Sequence, residues 1–268
     1  MSDKPQNVEM TFWDHLEELR WVFVRSLIAI GVIGIVAFLN KNFVFDKVFL
    51  APKESWFITN DLLCKLSHYF NSEVLCMNQT GLEIINITMA GQFATHIYTS
   101  FIIGLFLASP YIIFEFWRFI TPALHSNEKK HTGGAVFISS ILFILGVLFG
   151  YFLIVPFTIN FLGEYQVSKT IANTITLGSY LQNTVSISLW MGVVFEIPIL
   201  IYLLTKIGII TPKFMRSSRK IVFIVLLIVA GIITPPDVIS QIMVCIPLVI
   251  LYEISIKISD RVYRKNFL

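Results

Sequence analysis

Charged residues are scarce in this 268-residue sequence. Asp, Glu, Lys and Arg together make up 14% of it, whereas a soluble globular domain carries about 25%. Hydrophobic residues reach 56% and aromatic residues 14%, and the mean hydropathy is +0.76. This composition excludes an ordinary soluble domain and predicts an integral membrane protein.

Long apolar runs account for most of the chain. A helix that crosses the roughly 30 Å hydrocarbon core of a bilayer needs about 20 apolar residues. Six segments are candidates, at about 21–40, 88–117, 134–157, 180–205, 220–234 and 240–256. They predict an all-α polytopic protein with a single domain of six transmembrane helices and an outer loop at 41–84. We expect the helix of the second span to begin near Leu82, and the last two spans to be short.

The distribution of charge sets the expected orientation. Five acidic residues lie among the first twenty, which is unlike the basic start of a cleavable signal peptide, so we expect the first span to be retained as an anchor. Lys and Arg are concentrated in the segments that would face the cytoplasm if both termini lie there. The net charge of +3 then reflects membrane topology rather than nucleic-acid binding.

Cysteines and catalytic motifs are few. Cys64 and Cys76 lie in the outer loop and Cys245 in the last span; a disulfide between the first two and a pair of free thiols are about equally consistent with the sequence. There is no His-Glu-x-x-His, no Gly-x-Ser-x-Gly and no intramembrane aspartate pair, which argues against a hydrolase. No inverted pair of similar halves supports an ion-coupled transporter. We expect no enzyme activity, no cofactor and no metal site.

Glu196 is the most isolated acid of the chain. No other carboxylate occurs between Glu164 and Asp237. A carboxylate at bilayer depth costs several kcal/mol unless it is protonated, hydrogen-bonded or partnered. It is therefore a functional candidate; the alternative is an acid bonded within the helix bundle, to a Ser, a Thr or a carbonyl that Pro198 leaves unpaired.

Acidic residues also occur in segments expected to be cytoplasmic, where basic residues would be typical. Glu17 and Glu18 precede the first span, and Glu128 lies between the second and third spans. Two acidic points on this surface would attract a basic peptide. The alternative is ordinary solvated charge.

Four sequence motifs occur in the same order as in a known family. They are His15-Leu-Glu-Glu-Leu-Arg20, Pro122-Ala-Leu124 followed by Glu128, Phe195-Glu-Ile-Pro198, and Thr234-Pro-Pro-Asp-Val-Ile-Ser-Gln241. Together they resemble the TatC family, the receptor subunits of the twin-arginine protein translocase. The resemblance covers nearly the whole chain.

The resemblance implies a function. Glu18 and Glu128 would bind the two consecutive arginines of a signal peptide on a folded cargo protein, since a carboxylate accepts a guanidinium fork with two hydrogen bonds. Glu17 would assist, Arg20 would pair with Glu17, and Phe119 would belong to the same site.

The resemblance also implies the surroundings of the protein. Glu196 would contact single-span partners of the TatA and TatB type, in a larger complex of the bacterial inner membrane that is driven by the proton gradient. A further set of matched positions would have mainly structural roles: Pro52, Pro110, Pro198, Pro235, Pro236, Asp237 and Gln241.

Overall fold

Ten α-helices and one pair of two-residue strands form the part of the chain that the computed structural model describes, residues 12–69, 76, 82–121, 132–166, 168, 173–234 and 238–267. The helices are α1 (Phe12–Leu39), α2 (Ile58–Tyr69), α3 (Gly91–Ile120), α4 (Thr132–Phe149), α5 (Val155–Glu164), α6 (Leu177–Val194), α7 (Ile197–Lys206), α8 (Pro212–Ser217), α9 (Arg219–Ile233) and α10 (Val238–Phe267). A π-helical segment, Gly150–Ile154, joins α4 to α5.

Five helical runs are long and apolar enough to cross a membrane. Within the described ranges these are Trp13–Leu39, Gly91–Ile120, Gly133–Glu164, Leu177–Lys206 and Ser240–Lys265. A helix also forms at the expected fifth span, but α9 has only 15 residues, about 22 Å at 1.5 Å per residue. The chain is thus an all-α polytopic membrane protein with five long apolar helices.

Two expectations about helix length are wrong. The last helix is not short, because α10 continues through its charged C-terminal part to a length of 30 residues. The helix of the second span does not begin near Leu82 but at Gly91. The residues before it form strand β1 (Ile84–Ile85), which pairs in parallel with β2 (Ile175–Thr176). The backbone of this segment therefore bonds to another loop rather than within a helix.

The membrane helices pack in pairs, and glycines allow the closest approaches. α1 packs along α3 and α4 packs along α6. A methyl group added at Gly104 of α3 would lie 2.4 Å from the carbonyl oxygen of Ile30 in α1. One added at Gly146 of α4 would lie 2.5 Å from the carbonyl oxygen of Met191 in α6. Both contacts are with backbone, which cannot move aside as a side chain can.

We expect Gly104→Ala to destabilise the protein by about 1–3 kcal/mol, because overpacking forces two helices apart. Thermal unfolding of the purified protein in detergent measures this change. Gly31→Ala is the matched control, since an added methyl group there meets no atom within 4 Å and alanine is the better helix former. Equal losses of stability in the two variants would contradict the expectation.

The expected outer loop at 41–84 is largely helical. A π-helical segment, Phe43–Phe49, and a 3₁₀ turn, Ala51–Lys53, lead to α2. The buried amide of Asn60 donates hydrogen bonds to the carbonyls of Pro52 and Glu54, at 3.1 and 2.8 Å. These bonds fix the shape of the loop, and the contacts of Phe57 with Tyr151 and Phe152 hold it on the helix bundle.

Cys64 and Cys76 lie together in this loop, with their sulfur atoms 1.99 Å apart, the distance of a disulfide. The Nε2 atom of His68 lies 3.7 Å from the sulfur of Cys64. The three side chains are close enough to share a metal ion, although their spacing in the sequence gave no such indication. Bonded sulfurs are not the thiolates that bind metals, so the arrangement is that of a disulfide. Cys245 is buried and free.

Candidate functional site

The first turns of α1 lie against the last turns of α3. His15 stacks on Phe119, with ring centroids 4.1 Å apart and an interplanar angle of 19°. Val22 is only 2% exposed. Residues three or four apart share a helix face, so Glu18 lies between these two contacts on the face that α1 turns toward α3.

The three polar residues of this turn differ in their surroundings. Glu18 is half-buried, whereas Glu17 and Arg20 are exposed. The Oε2 atom of Glu18 is buried and accepts no hydrogen bond from any residue in the described part of the chain. Glu17 and Arg20, both within the described residues, form no ion pair with each other, so the expected pairing is absent. Glu18 thus offers a buried acceptor that no described residue bonds, whereas Glu17 is an ordinary solvated charge.

A buried ion pair lies deeper along the same contact. Nη1 of Arg25 in α1 lies 3.0 Å from Oε2 of Glu115 in α3, and the Glu115 side chain is only 3% exposed. Arg118 approaches the same carboxylate at 4.0 Å. This pair is not among the residues predicted from the sequence, although opposite charges inside two apolar spans are a signal for it. The pair joins the middle of α1 to the last turns of α3, about two helical turns from Glu18.

Glu128, the second acid of the expected site, lies outside the described residues, as does the turn at 122–124. The last described residue before it is Thr121, the C-cap of α3, whose backbone N–H donates to the carbonyl of Trp117. Phe119, which stacks on His15, lies two residues before Thr121.

Glu196 lies in a break between α6 and α7. Pro198, in the first turn of α7, lacks an N–H donor and clashes with the carbonyl four residues before it, so the helix breaks between Val194 and Ile197 within the expected fourth span, which runs from Leu177 to Lys206. Oε2 of Glu196 accepts a hydrogen bond of 2.6 Å from the hydroxyl of Ser139 in α4. Its Oε1 is buried and accepts no bond from the described residues. One half of this carboxylate is paired within the bundle and the other is not.

The positions expected to be structural have several different surroundings. Pro52 is buried in its 3₁₀ turn, and Pro110 lies within α3, which runs through it as one helix. Nε2 of Gln241 donates a 3.0 Å hydrogen bond to the carbonyl of Leu227, which ties α10 to α9. Residues 235–237, with Pro235, Pro236 and Asp237, lie outside the described ranges. Ser240, in the first turn of α10, is buried.

The sequence and the fold match known proteins along nearly their whole length. The family model described as Sec-independent protein translocase protein (TatC) matches residues 14–247. A protein of that description from Blattabacterium sp. subsp. Periplaneta americana is 42% identical over 265 residues, which cover 98% of this chain and 100% of the relative. Another, from Halalkalibacterium halodurans, is 34% identical over 258 residues, covering 96% and 92%.

Solved structures show the same fold. A crystal structure of the twin-arginine translocase receptor TatC matches with a TM-score of 0.69 and 31% identity, covering 93% of this chain and all of that one. A second, determined in the detergent DDM, matches with a TM-score of 0.71 and 31% identity, covering 92% and 99%.

These matches establish the class of protein. Proteins of this family serve transport and are not enzymes, and they are multi-pass proteins of bacterial membranes. The expectation from the four motifs is confirmed. The chain belongs to the TatC family of Sec-independent protein translocase proteins, the receptors of the twin-arginine translocase.

Proposed function

We propose that this chain binds the Arg-Arg signal peptides of folded proteins through Glu18 and Glu128, on the cytoplasmic face of the bacterial inner membrane. The observation that carries the proposal is the buried Oε2 atom of Glu18, which has no hydrogen-bond partner among the residues that the structure describes. A buried acceptor without a partner is costly, and an arriving guanidinium would relieve that cost. Phe119, through its stack with His15, holds the end of α3 beside the acid.

The chemistry favours arginine over lysine. A guanidinium is planar and offers a fork of N–H donors that fits the two oxygens of one carboxylate, whereas an ammonium group is a point charge. Two carboxylates on separate segments would read two adjacent arginines. Glu17, exposed on the neighbouring face, would add attraction but no specific contact, and Arg20 would border the site.

The second part of the proposal concerns Glu196. Its unpaired Oε1, at the break in the fourth span, offers an acceptor to a polar side chain of a single-span partner of the TatA or TatB type. Ser139 holds the carboxylate until that partner arrives. Transport by the assembled complex, which contains several copies of such proteins, would draw on the proton gradient.

The arrangement in the membrane completes the proposal. The chain would form a single domain of six transmembrane helices, with α9 as the short span, the outer loop at 41–84 on the far side and both termini in the cytoplasm. The basic residues of the segment between α7 and α9, including Lys206, Lys213 and Arg216, agree with that orientation.

Photo-crosslinking tests the signal-peptide site. A photoreactive residue is placed at position 18 or 128, and the labelling of a signal peptide with Arg-Arg is compared with that of the same peptide with Lys-Lys. We expect strong labelling of the first peptide and weak labelling of the second. A probe at position 32, on the exposed side of α1, is the control. Equal labelling of both peptides would show that the site does not read an arginine pair.

Glu196→Ala separates the two parts of the proposal. We expect the variant to bind the signal peptide with unchanged affinity but to transport cargo poorly. The reason is that Glu196 lies between α6 and α7, whereas Glu18 lies where α1 packs on α3. Binding is measured with purified protein and transport with inverted membrane vesicles. Ser139→Ala, which removes only the internal partner of Glu196, should keep more transport than Glu196→Ala. A parallel loss of binding and transport would contradict the separation.

A further inference from the structure

A cavity of about 600 Å³ opens between the helices, away from both acidic sites. α1, α3, α4 and α6 line it together with the π-helical segments Phe43–Phe49 and Gly150–Ile154. The last two turns of α1 line it from Ile33 to Ala37, and Asn40 lines it just beyond the helix. The cavity therefore lies toward the end of α1 opposite the proposed signal-peptide site. Nearly all of its wall is aliphatic or aromatic, as Ile103, Phe106 and Val185 illustrate.

The size of the cavity restricts its occupant. Small-molecule sites in proteins have volumes of about 300–1,000 Å³, which includes this one. A 20 Å length of α-helix, about 10 Å across with its side chains, would fill on the order of 1,500 Å³, so a transmembrane helix of a partner does not fit. An apolar cavity is not a site for water, which needs polar partners. In a bilayer, the apolar group that is small enough to enter this cavity is the acyl chain of a lipid.

The mouth of the cavity has a different character from its wall. Lys47, an exposed residue of the first π-helical segment, lines the mouth together with Asn40. Its Nζ lies 5.7 Å from the ring centre of Trp56, and tryptophan side chains collect at the level of lipid headgroups. Lys47 forms no ion pair with any described residue, and the neighbouring Asp46 does not line the cavity. An ammonium group at headgroup level beside an apolar cavity complements a phosphate with an attached acyl chain.

We propose that this cavity holds one acyl chain of a bound anionic phospholipid, whose phosphate lies at Lys47. The lipid fills the space between α1, α3, α4 and α6 and thereby supports the packing of the two helix pairs. The binding is independent of the signal peptide, since Lys47 and Glu18 lie toward opposite ends of α1.

Native mass spectrometry of the protein released from nanodiscs tests the proposal. The nanodiscs contain equal amounts of phosphatidylglycerol and phosphatidylethanolamine. We expect the wild-type protein to retain one phospholipid per chain, with phosphatidylglycerol preferred. Val36→Trp, which extends a side chain into the cavity, is expected to lose the retained lipid. Lys47→Gln should keep a lipid but lose about fivefold of the preference for phosphatidylglycerol, since a basic residue near a headgroup contributes about 1 kcal/mol.

Matched controls exist for both variants. Val32 lies one turn from Val36 on α1 and is equally exposed, 58% against 57%, but does not line the cavity. Lys41 is exposed like Lys47 and lies outside the cavity. Val32→Trp and Lys41→Gln should therefore behave as the wild type does.

Three results would overturn the proposal. They are unchanged lipid retention in Val36→Trp, an equal loss in Val32→Trp, and a preference for phosphatidylglycerol that Lys47→Gln does not alter. Lys47→Gln changes only an exposed side chain, so this arm does not depend on how well a tryptophan is accommodated. Signal-peptide binding, measured on the same samples, should stay unchanged in all four variants.

Discussion

Arg25→Ala is expected to destabilise the protein by about 2–3 kcal/mol. Removing one partner of a buried ion pair typically costs about 3–5 kcal/mol, because the other charge stays buried without compensation. Glu115 is such a charge, with a side chain that is 3% exposed, whereas Arg25 is 34% exposed, so the solvent screens part of the interaction. Unfolding of the purified protein in mixed micelles, followed by circular dichroism, measures the loss.

Two further variants identify the cause of that loss. Arg25→Ala combined with Glu115→Gln removes the stranded charge and should recover a large part of the stability. Arg118→Ala removes the second, more distant arginine, which lies at 4.0 Å and is 58% exposed; a pair of this kind contributes at most about 1 kcal/mol. If Arg118→Ala cost as much as Arg25→Ala, the ion pair of Arg25 and Glu115 would not be the contact that holds α1 to α3.

The membrane helices could be predicted from composition because apolar length is a direct requirement of the bilayer. Their ends could not, since hydropathy does not report where a helix stops. Helix α10 continues past its apolar part, because the lysines and arginines that follow are good helix formers. The segment before Gly91 reads as part of an apolar run, yet Ile84 and Ile85 bond to a strand more than eighty residues away. Such a partner is visible only in the folded chain.

The candidate site was partly predictable for a similar reason. An acid inside an apolar span is conspicuous, so Glu196 could be singled out, but its partner Ser139 belongs to another helix and is one of many serines. Glu17 and Glu18 are adjacent acids, and in the sequence only the family resemblance singles out Glu18. The packing of α1 on α3 supplies a physical difference, since it buries one oxygen of Glu18 and leaves Glu17 in solvent.

The second large effect is expected for the acids of the proposed signal-peptide site. A hydrogen bond to a charged group contributes about 1.5–3 kcal/mol, so Glu18→Gln should weaken the binding of an Arg-Arg signal peptide about 10- to 150-fold. Glu128→Gln should have an effect of the same order. Fluorescence anisotropy with a labelled peptide and protein in nanodiscs measures both dissociation constants. Glu17→Gln is the matched control and should change the affinity only a few-fold, at low salt.

A purely structural role for Glu18 would give a different pattern. In the folded protein the Oε2 atom of Glu18 is buried and accepts no hydrogen bond from the described residues. An unpaired buried charge opposes folding. The neutral variant Glu18→Gln should therefore unfold at the same temperature as the wild-type protein or at a higher one. Affinity and stability are thus expected to move in opposite directions. The variant should also bind Arg-Arg and Lys-Lys peptides with similar affinity, since the amide has a donor NH₂ in place of the second acceptor oxygen and cannot form the two parallel hydrogen bonds with a guanidinium fork. Loss of stability with an unchanged preference for arginine would show instead that Glu18 supports the contact of α1 with α3 and does not bind the peptide.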